Sequence, residues 1–211
     1  MKKALLILIT LALLLTACAQ AETVITALAI PVNPDHLEKT SSYARILGYD
    51  AVNNTLSVEL IAPEIFDRED VQALKVGDSI YTDGQEVKIN TLNADDEWCV
   101  IINEGEYEYD EGAVYLFEDL DGNYRPQFYD DYIWTSITVL DCPVSDSLLF
   151  LDYIDPEWGT PLTLPSVHTA EEMIALLANE TDCGLTTNNV YVTFDAAGSL
   201  STVHRYYVSW Q

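Results

Sequence analysis

The chain has 211 residues, 49% of them hydrophobic, with 13 Tyr, 4 Trp and 5 Phe, and its 35 Asp+Glu against 9 Lys+Arg give a formal net charge of −26. So much apolar surface excludes disorder driven by acidity, because a packed core is available to offset chain entropy. The surplus of carboxylates excludes a nucleic-acid or anionic-lipid binder, since both need clustered Lys and Arg. The length suits one domain or two small ones.

Lys2 and Lys3 open the chain, an uninterrupted apolar run covers residues 4–15, and Leu15-Thr16-Ala17-Cys18 follows. The run is too short to cross a bilayer core, which takes about 20 apolar residues as a helix, and it has the size of a signal-peptide hydrophobic region. These residues resemble the lipobox of a bacterial lipoprotein signal, in which the cysteine is acylated on sulfur, typically with palmitate, and becomes the new N-terminus. The resemblance covers residues 1–18 only. It implies an extracytoplasmic protein held on a bacterial membrane through Cys18. The competing reading is an ordinary signal peptide cut near Ala19 or Ala21. Losing Lys2 and Lys3 with the leader takes the formal charge to −28. The mature part is therefore expected to stand off its membrane, held by acyl chains. Residues 19–40 read as a tether with one β-prone stretch, 23–30, interrupted by Pro31 and Pro34.

From Tyr43 the pattern becomes regular. Leu56, Val58 and Leu60 alternate with Ser57 and Glu59, the period of a half-buried strand. Asn53-Asn54, Asp83-Gly84 and Asp121-Gly122 each lie between strand-like runs and supply residues that tolerate positive φ, which predicts three hairpins. Asp67 and the acidic pair Glu69-Asp70 predict a helix over 67–75 that stops before Gly77. A short helix bridging two hairpins makes 41–103 resemble, in architecture alone, a small barrel of the OB or SH3 type. A β-barrel-like portion is expected over 41–140.

Residues 141–165 hold Pro143, Pro156, Gly159, Pro161 and Pro165, with only 148–151 strand-like, and read as a connecting segment. In the last part, 166–211, Thr169 and Glu172 form a capping box that opens a helix predicted over 169–179. Two strands around Gly198, at 190–194 and 200–210, close the chain as a hairpin. The last strand is expected to place Leu200, Thr202, His204 and Tyr206 on one face and Ser201, Val203 and Arg205 on the other. The fold class is mainly β (α+β): a small β-barrel or sandwich of hairpins, with the C-terminal helix and β-hairpin packed on the same domain.

Chemistry-bearing residues are sparse. Cys99 lies in an apolar run and reads as a buried thiol. Cys142 and Cys183 sit beside turn-like sequence and either meet in a disulfide or stay reduced. The densest acids are Glu104-Gly105-Glu106-Tyr107-Glu108-Tyr109-Asp110-Glu111, followed by Glu118, Asp119, Asp121, Asp130 and Asp131. Clustered carboxylate and carbonyl oxygens suit Ca²⁺, which makes Asp119, Asp121, Asn123 and Asp130 the calcium candidates. Gly122, however, is fourth in its stretch where a calcium loop has its glycine sixth, and a hairpin turn accounts for Asp121-Gly122 by itself. No metal and no cofactor is therefore expected. Tyr107 and Tyr109 alternate with glutamates, so they form either a binding row or a face packed on its own sheet.

No nucleophile elbow or comparable motif marks a catalytic set, and no catalytic residue is assigned. His204 reads as a satisfied, partly buried histidine. The expected function is a non-catalytic, lipid-anchored module that binds an unknown protein or glycan, and the mature domain resembles bacterial surface lipoproteins of unassigned activity. The alternative is a small, calcium-dependent hydrolase using the acids of 104–131. An exposed Tyr/Trp patch would favour the first reading, and two carboxylates facing across a cleft the second.

Overall fold

A computed structural model of the chain describes residues 22–28, 32–94, 98–104, 113–128, 131–179 and 184–207. In chain order the strands are β1 (Val24–Thr26), β2 (Ser41–Asp50), β3 (Thr55–Pro63), β4 (Ser79–Thr82), β5 (Gln85–Lys88), β6 (Leu92–Asn93), β7 (Cys99–Ile102), β8 (Val114–Glu118), β9 (Tyr124–Phe128), β10 (Asp131–Tyr132), β11 (Trp134–Pro143), β12 (Leu149–Ile154), β13 (Pro161–Thr169), β14 (Val190–Phe194) and β15 (Leu200–Arg205). Helix α1 (Arg68–Gln72) follows β3, and α2 (Ala170–Asn179) follows β13. Of the described residues 51% are strand and 9% helical, a mainly β, sandwich-like α+β fold with no closed barrel among them. Two compact units share the described residues: 22–27 with 66–124, and 28 with 32–65 and 125–207.

In the first unit, β4 pairs with β1 in parallel and with β5 antiparallel. The β4–β5 turn is Asp83-Gly84, with φ of 49° and 71°, the doubly positive turn that matches strand twist. β6, β7 and β8 form an antiparallel run. Helix α1 starts where expected: the Asp67 carboxylate accepts from the backbone N–H of Glu69 at 2.8 Å and of Asp70 at 3.4 Å. It ends at Gln72, short of the expected 75. Ile80, Ile89, Ile102 and Leu116 are buried.

The second unit is built on a seven-stranded sheet in the order β11-β3-β2-β14-β15-β12-β13, antiparallel except between β12 and β15. This corrects two expectations. Residues 41–103 do not close into one barrel. The β2–β3 hairpin pairs onward with the distant β14 and β11, while 66–103 belong to the other unit. Nor is 141–165 a loose connection, because the end of β11, all of β12 and the first part of β13 occupy most of it. The prolines that suggested a linker sit where a sheet tolerates them. Pro143 ends β11, Pro161 begins β13, and Pro165 lies in β13, the outermost strand.

One face of this sheet is the core. Ala44, Leu60, Phe150, Val190, Val192 and Val203 point into it, together with Met173 of α2. The capping box of α2 is formed: the Glu172 N–H donates to the Thr169 hydroxyl at 3.2 Å, and the Thr169 N–H donates to the Glu172 carboxylate at 2.8 Å. Within the same face Arg205 grips Asp152 with two hydrogen bonds of 3.1 and 2.6 Å and lies 5.8 Å from the Phe150 ring. The two residues are register partners, so the pair ties β15 to β12 where the sheet turns parallel. Removing one partner of such a buried pair costs about 3–5 kcal/mol, because the other charge is stranded.

Candidate functional site

Residues with opposite parity from the core project from the other face of the same sheet. Register places Tyr43 of β2 opposite Tyr191 of β14, and Tyr191 opposite His204 of β15. His204 is opposite Leu151 of β12, so Tyr153, two residues on, falls beside Tyr206. At the other end Trp134 of β11 stands opposite Pro63 of β3.

The rings touch in sequence across the strands. Trp134 meets Tyr43 edge-on at 4.9 Å, and Tyr43 meets Tyr191 edge-on at 5.3 Å. Tyr191 meets His204 at 6.3 Å. His204, Tyr153 and Tyr206 then lie nearly parallel, within 14–21° of one another and 4.8–6.4 Å apart. Beyond Trp134, the Arg125 guanidinium lies 4.2 Å from the Tyr132 ring and 5.4 Å from the Trp134 ring. Tyr43 is 42%, Tyr132 41% and Tyr206 38% exposed, while the other rings of the row are half-buried.

The electrostatics of the row are those of neutral groups. Burial holds His204 below the usual imidazole value of 6.5, so its ring is uncharged at neutral pH. Burial, and then the neighbouring phenols of Tyr153, Tyr191 and Tyr43, push Tyr206 above the usual phenol value. The His204 Nε2 lies 3.3 Å from the Thr202 hydroxyl, but Nδ1 is buried with no hydrogen-bond partner, so the histidine is not the satisfied one expected. Arg125 is similar: its Nε and Nη2 are buried and unpartnered. One pleat from Tyr43, Arg45 and Glu59 pair with each other at 3.0 Å. The Ser136 hydroxyl, then Arg45, hold the Glu59 carboxyl below its usual value against the effect of its burial.

His204 reaches this face through a bulge. A uniform alternation would put Leu200 and His204 on one face. Pairing instead jumps from Phe194 opposite Leu200 to Thr193 opposite Thr202, which leaves Ser201 as the extra residue. Its hydroxyl donates to the Thr193 carbonyl at 2.9 Å. Leu200 thus joins the core while Thr202 and His204 face outward.

The residues singled out in the sequence fare differently. Cys18, Cys183, Tyr107, Tyr109 and Asp130 lie outside the described residues. Asp119 uses its carboxylate to close the hairpin turn, accepting from the N–H of Asp121 at 2.9 Å and of Asn123 at 3.0 Å. Among the described residues no three His, Cys, Asp or Glu side chains are grouped to hold a metal. Cys99 and Cys142 are buried, and burial, with Asp141 beside it, pushes the Cys142 thiol up to about 11. A triad needs its histidine oriented by an acceptor on the second ring nitrogen, and the His204 Nδ1 has none. The first unit carries a cavity of about 510 Å³ lined by Val71, Leu74, Val100 and Trp98, with Arg68 and Glu118 beside it. Those two charges already pair at 2.6 Å.

Most of the row was invisible in the sequence. Tyr43, Trp134, Tyr153 and Tyr191 each have only polar or aliphatic residues immediately before and after them, and Arg125 sits beside a proline. Only His204 and Tyr206 showed as one face. The remaining signal, one outward-facing ring on each strand the row crosses except β3, has meaning only once strand order is known. No protein-family model, curated protein or solved structure matches the chain.

Proposed function

We propose that the protein is a lipid-anchored, extracytoplasmic binding module without catalytic activity, and that the aromatic row of the second unit is its working surface. The observation that carries this reading is the unbroken series of ring contacts from Trp134 to Tyr153 on the solvent side of a sheet whose other side is the core. Isolated apolar residues on a surface need no explanation, whereas a contiguous group marks a contact site. Tyr, Trp and Arg are also the residue types that supply most binding energy at interfaces. The lipobox-like start supports the anchor. The unoriented His204 and the turn-bound Asp119 lend the hydrolase alternative no support.

The test uses the full-length chain purified in detergent, immobilised, and exposed to labelled envelope extract. The wild type should retain envelope material, and the Tyr43→Ala/Tyr206→Ala double variant less than about a tenth as much, since loss of each hot-spot aromatic costs over 1 kcal/mol. Equal retention by the two proteins would defeat the reading.

A further inference from the structure

Resting on that reading, we propose that the row takes an uncharged, extended polysaccharide laid across the strands, with Arg125 hydrogen-bonding its hydroxyls at the Trp134 end. Shape is the first argument. The ring contacts run from β11 to β12, five strand-to-strand steps, or about 24 Å at the usual strand spacing. The row is narrow. Its three most exposed rings are about 40% open and the others less. At about 150–250 Å² for each aromatic side chain, that leaves a few hundred Å² to offer. A stable protein interface needs about 800 Å² per partner. A long, thin occupant fits; a globular one is short of area.

Chemistry is the second argument. A pyranose ring presents C–H faces alternating with neutral hydroxyls, so it needs apolar ring contact and uncharged hydrogen-bonding groups side by side. The row supplies both. Its phenols and imidazole join an apolar body to a polar tip. Ser41, Thr193 and Thr202, one pleat away on the same face, add a line of hydroxyls, with Ser41 donating to Thr193 at 3.2 Å.

Charge is the third. In a chain with 35 Asp+Glu, no carboxylate among the described residues joins the ring contacts, and Glu59 is taken up by Arg45. A cationic ligand therefore finds no free partner in the row. A polyanion meets the field of a protein with net charge −26, and so does a second copy of this chain. An uncharged polymer meets neither obstacle.

Arg125 supplies the polar contact that fixes such a chain at one end. Its Nε and Nη2 are covered by rings and bonded to nothing. Turning the guanidinium outward breaks no hydrogen bond from those two nitrogens, and it gives both donors the acceptor oxygens of a sugar.

Affinity electrophoresis of the full-length chain in detergent, through gels containing hydroxyethyl cellulose, galactomannan or laminarin, tests this, with polygalacturonate as the anionic comparison. Retardation is expected in at least one neutral gel and should change less than twofold between about 50 and 500 mM salt, because no ion pair is being screened. Tyr43→Ala and Tyr206→Ala should each weaken binding about tenfold. Arg125→Gln should weaken it several-fold, and Tyr206→Phe, which keeps the ring, less than Tyr206→Ala. All four should melt with the wild type. Retardation in polygalacturonate alone, neutral binding untouched by these variants, or no retardation at all would overturn the polysaccharide assignment. If envelope material is still retained through the row but is lost after protease treatment of the extract, the occupant is a protein and only this inference falls. If the row variants leave envelope retention unchanged as well, the binding-module reading falls with it.

Discussion

His204 shows how one residue couples the row to stability. It faces solvent beside Tyr153, Tyr191 and Tyr206, but its Nδ1 is covered and unpartnered, and burial lowers its proton affinity. Between that lowered value and 6.5 the unfolded chain binds a proton that the folded chain refuses. The contribution of His204 to stability is therefore intact above 6.5 and is lost as the pH falls through this window. Melting temperatures measured from pH 7.5 down to 5.5 should fall less steeply for His204→Gln than for the wild type. The many carboxylates titrate in both proteins, so the difference isolates the imidazole. Parallel curves would contradict the assignment of a buried neutral ring.

Elements were legible wherever their signals are local. The capping box of α2 was read from Thr169 and Glu172 alone, because a side chain three residues from a backbone N–H decides it. Thr169→Ala removes one cap and should cost about 1 kcal/mol. For a chain of this size that is roughly 2–4 °C in Tm, which differential scanning calorimetry resolves. No change would mean that the packing of Met173 and Ala170 fixes the helix without its cap. The Asp83-Gly84 and Asp121-Gly122 turns were legible for the same reason, since positive φ falls on Asp83 and Gly84 in the first and on Gly122 in the second. The Ser201 bulge was not. A strand by itself reads as uniform alternation, and only its partner β14 decides where an extra residue is absorbed.

At the scale of the whole molecule the expectation with the plainest readout is the anchor. Cys18→Ser should abolish acylation and move the protein from the membrane fraction to the soluble fraction, since the proposed acyl chains on Cys18 would supply the hold. Unchanged partition on ultracentrifugation and blotting would reject the lipoprotein reading. That experiment is independent of the row, as the row variants are of Cys18, so location and binding can fail separately.

The sequence by itself determined the β-rich class, the turns, the two helix starts and the excess of carboxylate, because composition and near-neighbour chemistry are sufficient for each. It did not determine which strands share a sheet. The OB- or SH3-like barrel failed because β2 and β3 are completed by β14 and β11, and the linker failed because the end of β11 pairs with the distant β3, β12 with the distant β15, and β13 with β12. The aromatic row belongs wholly to this second kind of information. A tyrosine alone on an outward position carries no signal of its own. It becomes part of a surface only when hydrogen-bond register brings Tyr43, Tyr191 and His204 level across adjacent strands, and register is set by pairings that only the folded sheet contains.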